Sequence, residues 1–102
     1  MAKTNKKTLA EQQLEDYNLV FKALAHPSRR NILTVLQARG GRMTAGDIVS
    51  RFSSSWPTIT RHLKQLERAG LIKTDKVSRE QYYTLDSNRL KTVVNHWMGW
   101  FK

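Results

Sequence analysis

The 102-residue sequence predicts a mainly α-helical domain carrying one small β-hairpin. Three observations predict it. Apolar residues recur at three- and four-residue spacing over most of the chain. Helix-start signals stand at Pro27, Thr44, the serines before Trp56, and Asp86. Two strand-like segments, residues 71–76 and 80–85, flank a short turn at Val77-Ser78-Arg79. Hydrophobic residues at 39% and charged residues at 25% suit one globular domain, expected over residues 9–102.

The elements follow in order. Residues 1–8 read as a disordered basic tail; no apolar stretch follows it, so it is not a secretory signal. The first helix is expected from about residue 9 to 24, with Leu14, Tyr17, Phe21 and Leu24 on one face. Pro27 disfavours helix at His26 and suits the first turn of a second helix, about residues 27–38. Ile32, Leu33, Val35 and Leu36 surround much of that helix, which marks it as central and buried. Gly40-Gly41 ends it. A third helix runs from Thr44 to about Phe52. Thr44 and Asp47 have capping-box spacing, and Met43 and Ile48 have that of a hydrophobic staple. Ser53-Ser54-Ser55 forms the turn, and one of its hydroxyls caps the fourth helix, worth roughly 1 kcal/mol. Pro57 fits the first turn of that helix and Gly70 stops it. After the hairpin comes a last helix, capped by Asp86 or Ser87.

Two helices joined by a tight turn, with a hairpin behind them, form a winged helix-turn-helix. On a wheel with Ile59 at zero, Leu63, Leu66 and His62 fall within about 60° of it and form the buried side. Arg61, Lys64, Gln65 and Arg68 take the other side with Pro57, flanked by Thr58 and Thr60. Such a helix fits the major groove of double-stranded DNA. Arg pairs with guanine, Gln with adenine, and a threonine methyl can meet a thymine methyl. Ser55, Trp56, Thr58, Thr60 and Arg61 stand at the N-terminal end, which normally reaches base edges; Lys64, Gln65 and Arg68 lie further along. A plain solvated face is the alternative, but only Glu67 interrupts the cations.

Lys73, Lys76 and Arg79 give the hairpin a reach toward phosphates or the minor groove; a solvated edge protected by lysines is the other reading. One of Tyr82 and Tyr83 should point into the core. Ser28, Arg29 and Arg30 could hold a phosphate at a helix start, or an arginine there could make a structural ion pair.

Charge and composition narrow the function classes. A formal net charge of +10 favours a polyanionic partner and fast electrostatic capture of it, although a basic protein can be merely soluble. There are no cysteines, so no disulfide or thiolate metal site. No run of about 18 apolar residues predicts a membrane span. No nucleophile–base pair, phosphate loop or carboxylate cluster suggests an enzyme.

The order of elements, together with Phe21-Lys22-Ala23-Leu24-Ala25-His26-Pro27-Ser28-Arg29-Arg30-Asn31-Ile32-Leu33, Met43-Thr44-Ala45-Gly46-Asp47-Ile48 and the run Pro57 to Ile72, resembles the ArsR family of bacterial winged-helix repressors. The resemblance spans about residues 19–85. It implies a homodimer, operator binding in the major groove and transcriptional repression; with no secretory signal read in the chain, a cytoplasmic, nucleoid-associated location is expected. Many members release DNA on binding a metal ion. Here the helix that carries their thiolates reads Thr-Ala-Gly-Asp-Ile-Val-Ser-Arg-Phe, with Asp47 the sole ligand type. The last helix has Asp86 and His96 without the spaced histidine partners. His26 and His62 read as packed, hydrogen-bonded histidines. A metal-independent member with no cofactor is therefore expected.

The winged helix needs only about 65 residues, which leaves two helices over. In the last one Leu90, Val93, Val94, Trp97, Met98 and Phe101 repeat at helical spacing, with Trp100 on the edge. Their arc of roughly 160° exceeds the stripe of about 100° that a surface helix needs. The excess suggests a dimer interface of Val94, Trp97, Met98, Trp100 and Phe101, completed by Leu14, Tyr17 and Phe21; a well-buried terminal helix in a monomer is the other reading. The leading function is a sequence-specific repressor on a pseudo-palindromic operator. A non-specific architectural DNA-binding protein, and a basic adaptor binding another protein through its aromatic helix, are the alternatives. The inducing signal is unknown.

Overall fold

The structure is a computed structural model that describes residues 6–102. Met1 to Asn5, within the expected tail, lie outside the described residues. Helix α1 is Leu9–Leu24, α2 Pro27–Ala38, α3 Ala45–Val49, α4 Trp56–Arg68 and α5 Ser87–Met98; strands are β1 Arg42–Thr44, β2 Ile72–Val77 and β3 Glu80–Leu85. Five helices and a small antiparallel sheet make the winged helix-turn-helix expected from the sequence.

Local chemistry accounts for most boundaries. Thr8 caps α1 in a full capping box with Glu11. Asp47 N–H donates to the Thr44 hydroxyl and starts α3; Thr58 N–H donates to that of Ser55 and starts α4. Asp86, not Ser87, caps α5. Gly70 leaves α4 with φ +76, a left-handed conformation that only glycine adopts without strain.

Three features differ from expectation. The hairpin belongs to a three-stranded sheet of order β1-β3-β2, with Met43 opposite Tyr83 and Thr74 opposite Tyr83 from the other side. Strand β1 has three residues and no readable alternation; its pairing with β3 supplies all its order. Helix α3 ends at Val49 rather than near Phe52, because Arg51 and Phe52 leave the α-ladder in 3₁₀-type bonds to Ile48 O and Val49 O. Helix α5 stops at Met98, so Trp100 and Phe101 lie beyond it in tight turns closed on Trp97 and Met98 carbonyls.

The core is wholly apolar. Val20, Ile32, Leu36, Ile48, Ile59, Leu63, Leu66, Leu71 and Ile72 are all but inaccessible, and among the described residues no polar residue is buried with them. Helix α2 is central, as its apolar circumference requires. Tyr83 packs on this core. Tyr82 takes the opposite face, where the Arg42 guanidinium lies 4.4 Å from its ring centre. Truncating any fully buried leucine to alanine should cost about 2–5 kcal/mol.

Candidate nucleic-acid interface

Helix α4 is divided as the wheel requires. Ile59, Leu63 and Leu66 are buried, and Ser55, Trp56, Arg61, Lys64 and Arg68 are exposed. Thr58, Thr60 and Gln65 sit half-buried between the two sides. The Thr58 hydroxyl is 3.1 Å from that of Ser55, so both help to order the helix start. Trp56 is 54% exposed at the first turn, an unusual place for a large aromatic with no covering chain.

The cations of α4 are uncommitted. Among the described residues Arg61, Lys64 and Arg68 make no ion pair. Arg61 makes one long bond, from Nε to Pro57 O at 3.4 Å, which leaves its terminal nitrogens open. Held by a buried apolar side, the helix presents fixed positive charge outward.

The wing residues separate. Side chains alternate along β2, so Lys73 and Lys76 point to opposite faces. Lys73 sits at the wing's base, 3.9 Å from Asp86. Lys76 and Arg79 stand at the tip, without an ion pair among the described residues. Asp75 is neutralised by Arg42 at 3.0 Å, so the tip carries net positive charge. Arg79 and Trp56 border one depression of about 390 Å³, together with Thr44 and Gly46 at the start of α3. The structure thus brings Trp56 and Arg79 together and sets Lys73 apart.

Arg29 and Arg30 are spent on architecture. Arg29 donates to Ala23 O at 2.7 Å and Lys22 O at 3.1 Å, and Arg30 donates to Leu24 O at 2.7 Å. Both cap the carbonyl end of α1, where a cation also suits the helix dipole. Among the described residues neither makes an ion pair. His26 caps α2, its Nδ1 accepting Ser28 N–H at 3.1 Å. His62 lies against it with ring centres 4.4 Å apart. Arg29 Nη1 is 3.3 Å from His62 Nδ1, and a guanidinium only donates, so that nitrogen accepts. Burial, then the neighbouring His26, Arg29 and Arg61, push the His62 pKa below its ordinary value.

Sequence reasoning missed Arg89. Its Nε donates to Ala69 O at 3.2 Å at the end of α4, and its Nη2 to Asp16 at 3.1 Å on α1. Asp16 and Arg89 are 73 residues apart, so no local pattern announces the pair.

Of the residues predicted for a dimer interface, Phe21, Trp97 and Phe101 touch one another, as do Tyr17 and Trp100, while Val94 packs against the core. Trp97 lies edge-on to Phe21 and tilted against Phe101, each at 4.9 Å between ring centres. Tyr17 bonds His96 and accepts from Trp100 Nε1 at 3.2 Å. Leu14, Met98, Trp100 and Phe101 remain 54–70% exposed.

This geometry defines the class: a winged helix-turn-helix with an open cationic reading helix. A helix-turn-helix domain model matches residues 24–75. The chain is 43% identical to the transcriptional repressor SdpR of Bacillus subtilis over 79% of its own length and 87% of that protein's. A solved ArsR family transcriptional regulator, 30% identical, superposes with a TM-score of 0.75 over 82% of this chain and 89% of that one. The homodimeric winged helix-turn-helix DNA-binding domain from Mycobacterium bovis shares the fold at 21% identity, with a TM-score of 0.73 over 94% and 88% of the two chains. The chain belongs to the ArsR family of winged helix-turn-helix transcriptional regulators.

Proposed function

We infer that this protein is a homodimeric repressor that reads a pseudo-palindromic operator with two copies of α4. The observation that carries this reading is the outward face of α4. Arg61, Lys64 and Arg68 are free of ion pairs among the described residues, while Ile59, Leu63 and Leu66 fix the helix from behind. Thr58, Thr60, Arg61 and Gln65 lie toward base edges; Lys64 and Arg68 reach bases or backbone phosphates. Lys76 and Arg79 at the wing tip meet the flanking backbone, and Lys73 contributes a longer-range attraction. The apolar patch of α1 and the end of α5 supplies the two-fold contact, since a monomer rarely leaves such a contiguous aromatic surface in water.

The switch is metal-independent in this reading. The chain has no cysteine, and the described residues hold no group of three or more His, Asp or Glu placed for a metal. Added zinc or a chelator should leave DNA binding unchanged. No helix among the described residues is long and apolar enough to cross a membrane, which agrees with a site of action on DNA in the cytoplasm.

Selection of bound fragments from genomic DNA tests the core of the proposal. A repressor of this kind should enrich one inverted repeat and hold it at fixed salt against random duplex by a factor of at least about 10³. Equal competition by random duplex would instead make it an architectural binder.

A further inference from the structure

We propose that Arg89 is a positioning residue that fixes the tilt of α4 relative to the dimer helices, and so sets the half-site spacing the protein accepts. The inference rests on the dimeric reading above. Helix α4 is read at its N-terminal end, is packed along its length through Ile59, Leu63 and Leu66, and is tied by polar groups at its C-terminal end. Ala69 is the C-cap, and Arg89 Nε donates to its carbonyl at 3.2 Å. The same guanidinium reaches Asp16 on α1 at 3.1 Å, and Gln12 on the next turn holds the same Asp16 oxygen at 3.2 Å. The Arg89 backbone N–H is itself held by Asp86 at 3.0 Å, in the cap of α5. One planar group, in the first turn of α5, therefore joins the C-terminal end of α4 to the middle of α1. Of these helices, α1 and α5 carry the proposed two-fold contact, and α4 is the reader.

Gly70 makes room for this clamp. A Cβ there would stand 3.0 Å from Arg89 Nε. The side chains of Arg89 and Asp16 are 29% and 23% exposed, so water competes only partly with the pair. Lever arm supplies the consequence. Helix α4 has 13 residues, roughly 20 Å at 1.5 Å each, so a tilt of roughly 3° at the clamp moves the reading end by roughly 1 Å. Arg89 touches no DNA in this scheme. It acts through α4, and its loss should loosen geometry without removing a base or phosphate contact.

The test uses the full-length dimer and the site selected from genomic DNA, with its two halves moved apart or together by one base pair. Such a change rotates a half-site by roughly 34° and shifts it by roughly 3.4 Å. Wild type should lose at least about tenfold in affinity on the shifted sites. Arg89→Lys keeps the charge but not the fork that spans Ala69 O and Asp16, and Asp16→Asn weakens one arm. Both should bind the original site about 3- to 30-fold less tightly and discriminate spacing by less than about threefold, while binding an isolated half-site like wild type. Lost half-site binding in proportion, or an unchanged spacing penalty in a folded dimer, overturns the clamp and leaves the repressor reading intact. A wild type indifferent to spacing overturns the dimeric reading and the clamp with it. Arg89→Ala is a harsher form of the same test, with circular dichroism and sedimentation reporting fold and dimer.

Discussion

Arg61 is exposed near the N-terminal end of α4, restrained by one weak bond to Pro57 O. Arg61→Ala should cost about 1–3 kcal/mol of operator affinity and relax base preference at one position. Competition titrations with single-base operator variants check it; equal loss on operator and random duplex would remove its base-reading role. His62 makes a second prediction at this scale. Its Nδ1 accepts from Arg29, and burial ahead of the charges of His26, Arg29 and Arg61 disfavours a proton there. The folded pKa therefore lies below the ordinary 6.5, so the unfolded chain binds more protons as pH falls. The stabilisation is fully present above 6.5 and is lost as pH drops through the depressed value. Thermal melts between roughly pH 7.5 and 5 should fall more steeply for wild type than for His62→Gln. Parallel curves would discard His62 as the group responsible.

The elements differ in how far they could be read from sequence, and the reason is locality. Helices α1 and α2 start and stop where expected because Thr8, Pro27 and the interrupting Ala25-His26 act within one turn of their targets. The faces of α4 were legible because burial repeats with the helical period. Strand β1 was not legible, since it exists through a partner some 40 residues away in β3. For Arg29 and Arg30 the sequence left a phosphate site and an ion pair both open; it did not show their main-chain carbonyl acceptors, which no side-chain pattern reveals. The wing gives the prediction at this scale. Because Lys73 and Lys76 face opposite ways, they should not act alike. Replacing Lys76 and Arg79 with alanine should flatten the salt dependence of binding by about one unit per lost phosphate contact. Lys73→Ala should change it by less. An identical slope for wild type and the tip variant would take the wing off the DNA.

The whole molecule is flat, 22 Å in its thinnest direction, with a Cα radius of gyration of 15.6 Å against about 13 Å for a compact chain of this length. Such a shape leaves large faces uncovered, and the aromatic end of α1 and α5 is the most apolar of them. Trp97, locked between Phe21 and Phe101, is its centre. Trp97→Ala should weaken self-association at least about tenfold by removing a central aromatic anchor. Sedimentation at micromolar concentration checks this, and a dimer as tight as wild type would place the two-fold contact elsewhere.

The sequence by itself determined the helix order, the start signals of α3 and α4, the buried side of α4 and the basic face opposite it, because each depends on residues within a few positions of one another. Only the tertiary structure decided that β1 completes the sheet, that Lys73 stands apart from Lys76 and Arg79, and that His26 rests on His62. It alone joined Asp16, Arg89 and Ala69 at the foot of the reading helix. Contacts of that kind follow from how packed elements bring distant side chains together, and chain-local periodicity carries no trace of them.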